Sequence, residues 1–192
     1  MRNAALAVLA LGAAIVNSAA TADEFLDRFM GAPIGKAKAF ACFARDYDAE
    51  HLAAHPLQNV KSMRLLVIVD PNAPGDISLR IRASFRTRKG ALDTEGNCGL
   101  PDGGESSPEG LRCGVDCDGG KMELNLKSSG SVLLSVPDGA RLWVPGSDNP
   151  DGNVHGAFGP DDKLFRLDRT AAIDCLPLAE APDEKAAIKR LK

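Results

Sequence analysis

The stretch ISLRIRASFR, residues 77–86, alternates without a break. Ile77, Leu79, Ile81, Ala83 and Phe85 fall on one side, and Ser78, Arg80, Arg82, Ser84 and Arg86 on the other. Successive side chains of an extended chain point to opposite faces, so this is a strand with one face in a core and one in water. Just upstream, LLVIV (65–69) is a solid apolar run, as expected of a strand covered on both faces. Further out, AFACFARDY (39–47) reads as a strand and MELNLK (122–127) alternates again. Ser128-Ser129-Gly130 is a turn leading into SVLLSV, and Asp138-Gly139 is a tight-turn signal leading into ARLWV (140–144), which predicts a three-stranded meander. VHGAF (154–158) and KLFRLDR (163–169) flank Gly159-Pro160-Asp161-Asp162 and predict a further hairpin. About seven strands with frequent turns point to a mainly β antiparallel sandwich or small barrel. It forms one domain over residues 23–180.

Helical signals are short. Glu24 to Met30 predicts a helix ending at Gly31, and AEHLAAH (49–55) a helical turn with Asp48 as N-cap and Pro56 as its stop. Residues 88–120 are rich in Gly, Asp, Glu and Ser and read as a break, a Gly/Asp-rich loop. APDEKAAIKRLK (181–192) reads as a charged, frayed tail.

The first 22 residues read as a separate device. One basic residue precedes the apolar run AALAVLALGAAIV (4–16), and Ala20-Thr21-Ala22 fits a signal-peptidase site, which places the cut before Asp23. The run is shorter than the roughly 20 residues of a membrane span, and stable membrane insertion is not expected. The remainder of the chain is long enough for a real core. A net charge of −3 argues against nucleic acid as the main partner. Stacking platforms for sugars or bases would need more aromatic side chains than one Trp and one Tyr.

All five cysteines, Cys42, Cys98, Cys113, Cys117 and Cys175, lie beyond the predicted cut, in a chain bound for an oxidising compartment. Within CGVDCDGG (113–120), a zinc site lacks a second short-spaced thiol pair, and a redox motif would place two residues between the thiols. A calcium loop through Asp116 and Asp118 lacks the carboxylate ladder and terminal Glu. A disulfide-stapled, glycine-rich turn fits better. A Cys98–Cys113 bridge would close about 15 residues and contribute roughly 3 kcal/mol; Cys42–Cys175 would close over 100 and contribute about 5 kcal/mol. Cys117 is then left over, and exchanging Cys113 with Cys117 is equally allowed.

Two further clusters invite a functional reading. Asp48, His51 and His55 would share one face of a helix, and two histidines four apart can share a zinc ion. The zincin glutamate is missing and His155 is the one other histidine, so a capped turn with locally packed imidazoles accounts for the same residues. Arg80, Arg82 and Arg86, with Arg88 beyond, form a row on one strand face, with alternate residues roughly 6.8 Å apart. Such a row grips carboxylates or sulfates, or else is a solvated face balanced by cross-strand acids such as Glu123. It is the best candidate for a ligand-binding surface.

No G-x-S-x-G elbow, Walker loop or G-x-G-x-x-G after a strand occurs. The expected function is a non-enzymatic binding module in the periplasm or outside the cell. It needs no cofactor, and its partner is a protein or an anionic ligand. The rivals are a zinc protein using Asp48, His51 and His55, and a hydrolase whose site the sequence does not reveal.

FACFARDYDAEHLAAHPLQNV (40–60) together with LRCGVDCDGG (111–120) resembles a family of small exported alphaproteobacterial proteins of unknown function. The resemblance implies a Gram-negative periplasmic or secreted setting and assigns no chemistry to any residue.

Overall fold

The computed structural model describes residues 22–73, 75–101, 110–115, 118–147 and 157–191. Eight antiparallel strands succeed one another around a closed barrel: β1 (Ala39–Asp46), β2 (Val60–Val69), β3 (Ile77–Phe85), β4 (Ala91–Gly99), β5 (Gly110–Gly114), β6 (Lys121–Ser128), β7 (Ser131–Ser135) and β8 (Leu164–Thr170). Each pairs with its neighbour in sequence, and β8 returns to β1 through Cys42↔Thr170 and Phe43↔Arg169. Of the two architectures expected, the barrel is the one formed.

Alternation fixes what lies inside. The inward residues of β3 are the Ile77, Leu79, Ile81, Ala83 and Phe85 set, all buried. They join Phe43, Leu65, Leu111, Met122, Leu134 and Phe165 in one cluster. An eight-stranded barrel is just wide enough for side chains to fill, and here large apolar side chains fill it. Helix α1 (Ala22–Met30) adds Phe25 and Phe29 to the same cluster, with Phe29 set edge-on against Phe43 at 5.8 Å. Arg169 lies over the Phe43 ring at 4.6 Å and donates to the Phe29 and Met30 carbonyls, satisfying the last turn of α1. Many outward positions, among them Arg64, Arg80, Arg82, Glu95, Glu123 and Arg166, are charged, unlike the apolar outer band of a membrane barrel. Among the described residues no helix is long and apolar enough to cross a membrane.

LLVIV is covered on both faces. Leu65, Val67 and Val69 point inward, while Leu66 and Ile68 point outward beneath a second apolar cluster. That cluster comes from the C-terminus: a 3₁₀ segment (Ala172–Leu178) and helix α3 (Pro182–Ile188) lay Leu178, Ala179 and Ile188 over Phe40, Leu66 and Ile68. Each such large aliphatic burial contributes about 1.5–3 kcal/mol. The Cys42–Cys175 disulfide, with Cα atoms 5.8 Å apart, pins this layer to the barrel wall. The stretch read as a frayed tail is therefore docked through Ile188, which is fully buried. Glu184, two residues into the helix from Pro182, reaches back to accept from the Glu180 and Ala181 N–H groups, at the N-cap and the residue before it.

Three further expectations are corrected. Residues 88–120 are not simply a break, for they contain β4 and β5, directly bridged by Cys98–Cys113. ARLWV is not a regular strand: its one β-type pairing is Trp143 with Asp93. The hairpin expected of VHGAF and KLFRLDR does not form within the described residues. KLFRLDR supplies β8, which pairs with β7 and β1, and Ala157 and Phe158 lie outside any strand. The rest of VHGAF, like Asp116, Cys117 and all of the predicted signal segment 1–22 except Ala22, lies outside the described residues.

The turn at Gly159–Asp162 has its own anchor. The Asp162 carboxylate is wholly buried and accepts from the N–H groups of Gly159 (2.7 Å), Asn59 (2.8 Å) and Val60 (3.2 Å). It ties the connection before β8 to the start of β2. Burial raises its pKa above the ordinary aspartate value despite these three donors.

Candidate functional site

The outward face of β2, β3 and β4 forms the floor of a groove of about 560 Å³. Register brings its polar residues side by side: Ser78 lies opposite Asn97, and Arg80 opposite Glu95. Ile68, opposite Ser78 on the other side, adds an apolar patch. Lys38, Asp70 and Asp76 line the end where the β2–β3 turn lies.

One wall comes from the ARLWV segment, expected as a strand. β5 pairs with β4 only at Asn97–Gly99, so the first half of β4 needs another partner. Trp143 supplies it, exchanging both backbone hydrogen bonds with Asp93 at 2.9 and 3.0 Å. Directly opposed residues share a sheet face, so the indole stands outward beside the polar rows, with Arg141 two residues away and Leu142 buried between them. Glu184 of α3 forms the opposite wall.

The predicted arginine row divides. Arg80 lines the groove but is held from several sides: its guanidinium meets Glu184 at 2.7 Å, Glu180 at 3.6 Å and Glu95 at 3.7 Å. Burial opposes the Arg80 charge, yet these carboxylates outweigh it and raise the pKa further. Glu184 answers in kind. Burial would raise its pKa, but Arg80 and the two backbone donors hold it below the ordinary glutamate value. Arg82 lies outside the groove and forms a two-pronged pair with Asp93, both bonds at 2.7 Å. Arg86 is turned to the carbonyls of Leu52, His55 and Gln58. The partners of the row are Asp93, Glu95 and Glu184 rather than Glu123.

Asp48, His51 and His55 meet as a cap and a stack. In α2 (Ala49–Ala54) the Asp48 carboxylate accepts from the His51 N–H at 2.7 Å, as its N-cap role requires. His51 stacks between Tyr47 (4.7 Å) and His55 (4.4 Å), and its Nε2 faces the Gln58 amide oxygen at 3.0 Å. Among the described residues no three His, Cys, Asp or Glu side chains are grouped to hold a metal ion. His155 lies outside them.

No protein-family model, curated protein or solved structure matches this chain. The groove therefore stands on its own geometry.

Sequence reading missed Ser78, Asn97, Glu95, Trp143 and Glu184 as one surface. The available signal was pairing: once ALDTEGNCG is placed antiparallel to ISLRIRASFR, Glu95 falls opposite Arg80 and Asn97 opposite Ser78.

Proposed function

We propose that this chain is an exported, non-enzymatic binding module that takes its ligand in the outer groove. The observation that carries the reading is a contrast. The barrel interior is packed with apolar side chains, whereas the groove outside is lined by many charged and polar groups, of which Lys38, Arg80, Glu95 and Glu184 are already paired. Its volume falls within the ~300–1,000 Å³ of small-molecule sites. Ion pairs fixed before the ligand arrives lower the ordering cost of binding.

Two disulfides support export, since such bonds persist in oxidising compartments. The predicted leader, cut before Asp23, supplies the route, and the charged outer face suits a periplasmic or secreted protein without stable membrane insertion. In this reading the Cys98–Cys113 bridge staples the Gly/Asp-rich loop between β4 and β5. Of the arginine row, Arg80 alone belongs to the binding surface, so an anionic ligand is no longer the favoured one.

Expression of the full chain with its own N-terminus in a bacterium, with intact mass then measured without reductant on the periplasmic fraction, tests export. The expected product begins at Asp23 and is lighter by about 4 Da for its two bridges. A chain that keeps its first 22 residues, with its thiols free, would overturn the exported reading.

A further inference from the structure

We infer that the groove takes a neutral, hydroxyl-rich ligand, a short oligosaccharide, with one ring laid against Trp143 and its hydroxyls held by Ser78, Asn97, Arg80 and Glu95. The inference rests on the reading of the groove as a binding site and names what would occupy it.

Charge is the first argument. The lining cations Lys38, Arg80 and Arg141 are offset by Asp70, Asp76, Glu95 and Glu184. Arg80 is committed to Glu184, Glu95 and Glu180, and Lys38 lies 3.8 Å from Glu184. An anion approaching Arg80 meets these carboxylates as well. A cation approaching the carboxylates meets Arg80 and Lys38. Either charge is attracted by half of the surface and repelled by the other half. A hydroxyl avoids the conflict because it donates to a carboxylate and accepts from a guanidinium or amide at once.

Spacing is the second argument. Ser78↔Asn97 and Arg80↔Glu95 are neighbouring cross-strand pairs on one face. Directly opposed side chains lie about 4.5–5.5 Å apart and successive pairs roughly 6.8 Å apart. Donors and acceptors thus stand in two parallel rows along the groove, matching a ligand that carries hydroxyls along its length.

The wall is the third. The Trp143 indole, a flat apolar ring system, lines the groove beside those rows. A pyranose has the complementary form, with C–H bonds on its faces and hydroxyls at its rim. Asp93 fixes the Trp143 backbone, so the main chain that carries the indole is set before the ligand arrives. One tryptophan accommodates one stacked ring, which fits a short ligand and not a long polymer groove.

Trp143 is the chain's one tryptophan, so its fluorescence reads this groove alone. The disulfide-bonded protein would be titrated with maltotriose, cellotriose and chitotriose as neutral probes, a sulfated heparin tetrasaccharide as the anionic probe and spermidine as the cationic one, with calorimetry in parallel. The expected result is a saturable emission change with at least one neutral trisaccharide, weakened about tenfold in Asn97→Ala, which is 1.4 kcal/mol. Asn97 is exposed, and an unchanged melting temperature would show that the variant keeps its fold. Binding of a neutral trisaccharide that Asn97→Ala and Trp143→Phe leave intact by calorimetry overturns the proposal, because the sugar then sits elsewhere. Saturable binding of the sulfated probe or spermidine alone, weakened by Asn97→Ala, overturns the neutral oligosaccharide while the groove remains the binding site. No saturable response to any probe up to about 10 mM, ten times a millimolar Kd, overturns both.

Discussion

Asp93 and Trp143 hold each other by two backbone hydrogen bonds, while the Asp93 carboxylate grips Arg82 by two more. One residue thus fixes the groove wall through its main chain and β3 through its side chain. Asp93→Ala removes the second function and leaves a partly buried guanidinium without its partner. A loss of roughly 1–3 kcal/mol is expected. Urea unfolding monitored by circular dichroism checks this, and a loss below a few tenths would mean that solvent replaces the pair.

Glu184 and Asp162 respond to pH in opposite directions. The pKa of Glu184 is lowered on folding, so its share of stability is full above the unfolded value and is lost as pH falls through the folded one. The pKa of Asp162 is raised, so its share is present below the unfolded value and is lost as pH rises through the folded one. In urea midpoints from about pH 3 to 7, the deficit of Glu184→Gln relative to the parent should shrink on acidification. The deficit of Asp162→Asn should shrink as pH rises. A reversed slope for either variant would mean that the dominant influence on that carboxyl has been misassigned.

The Cys42–Cys175 bridge spans 133 residues. The chain-entropy relation gives about 5 kcal/mol for closing such a loop. Its loss first releases the C-terminal layer, which covers Phe40, Leu66 and Ile68. The double variant Cys42→Ala/Cys175→Ala should therefore melt well below the parent. Amide exchange should rise first in residues 172–188. Exchange rising equally throughout would show that the layer and the barrel open as one unit.

Gly96 faces inward on β4, where a Cβ would lie 2.7 Å from the Gly114 carbonyl oxygen. Backbone cannot move aside as a flexible side chain does. Gly96→Ala should cost about 1–3 kcal/mol by overpacking, with Gly99→Ala, which meets nothing within 4 Å, as the control. Equal thermal melts for the two variants would refute the close approach of β4 and β5.

That same glycine explains where the sequence was readable. β3 announces itself because all its inward residues are apolar, and β2 because both its faces are covered. β4 turns Leu92, Thr94, Gly96 and Cys98 inward. Small and polar residues there leave no apolar alternation to detect, although the strand is fully paired with β3. ARLWV failed in the other direction, having strand composition but one pairing partner. The C-terminal layer was hidden because its docking rests on a few apolar residues, Leu178, Ala179 and Ile188, among many charges. The groove needs all three of these segments, and so only Arg80 of its lining was anticipated.

The bridge from Cys42 to Cys175 also bears on survival among proteases. Most of the chain, including the loops between β2 and β8, lies between these two cysteines. A cut at any one peptide bond there yields two segments still joined through sulfur, and a cut between Cys98 and Cys113 is spanned by both bridges. Nicked molecules would stay whole by mass, heavier by one water, and come apart only when reduced.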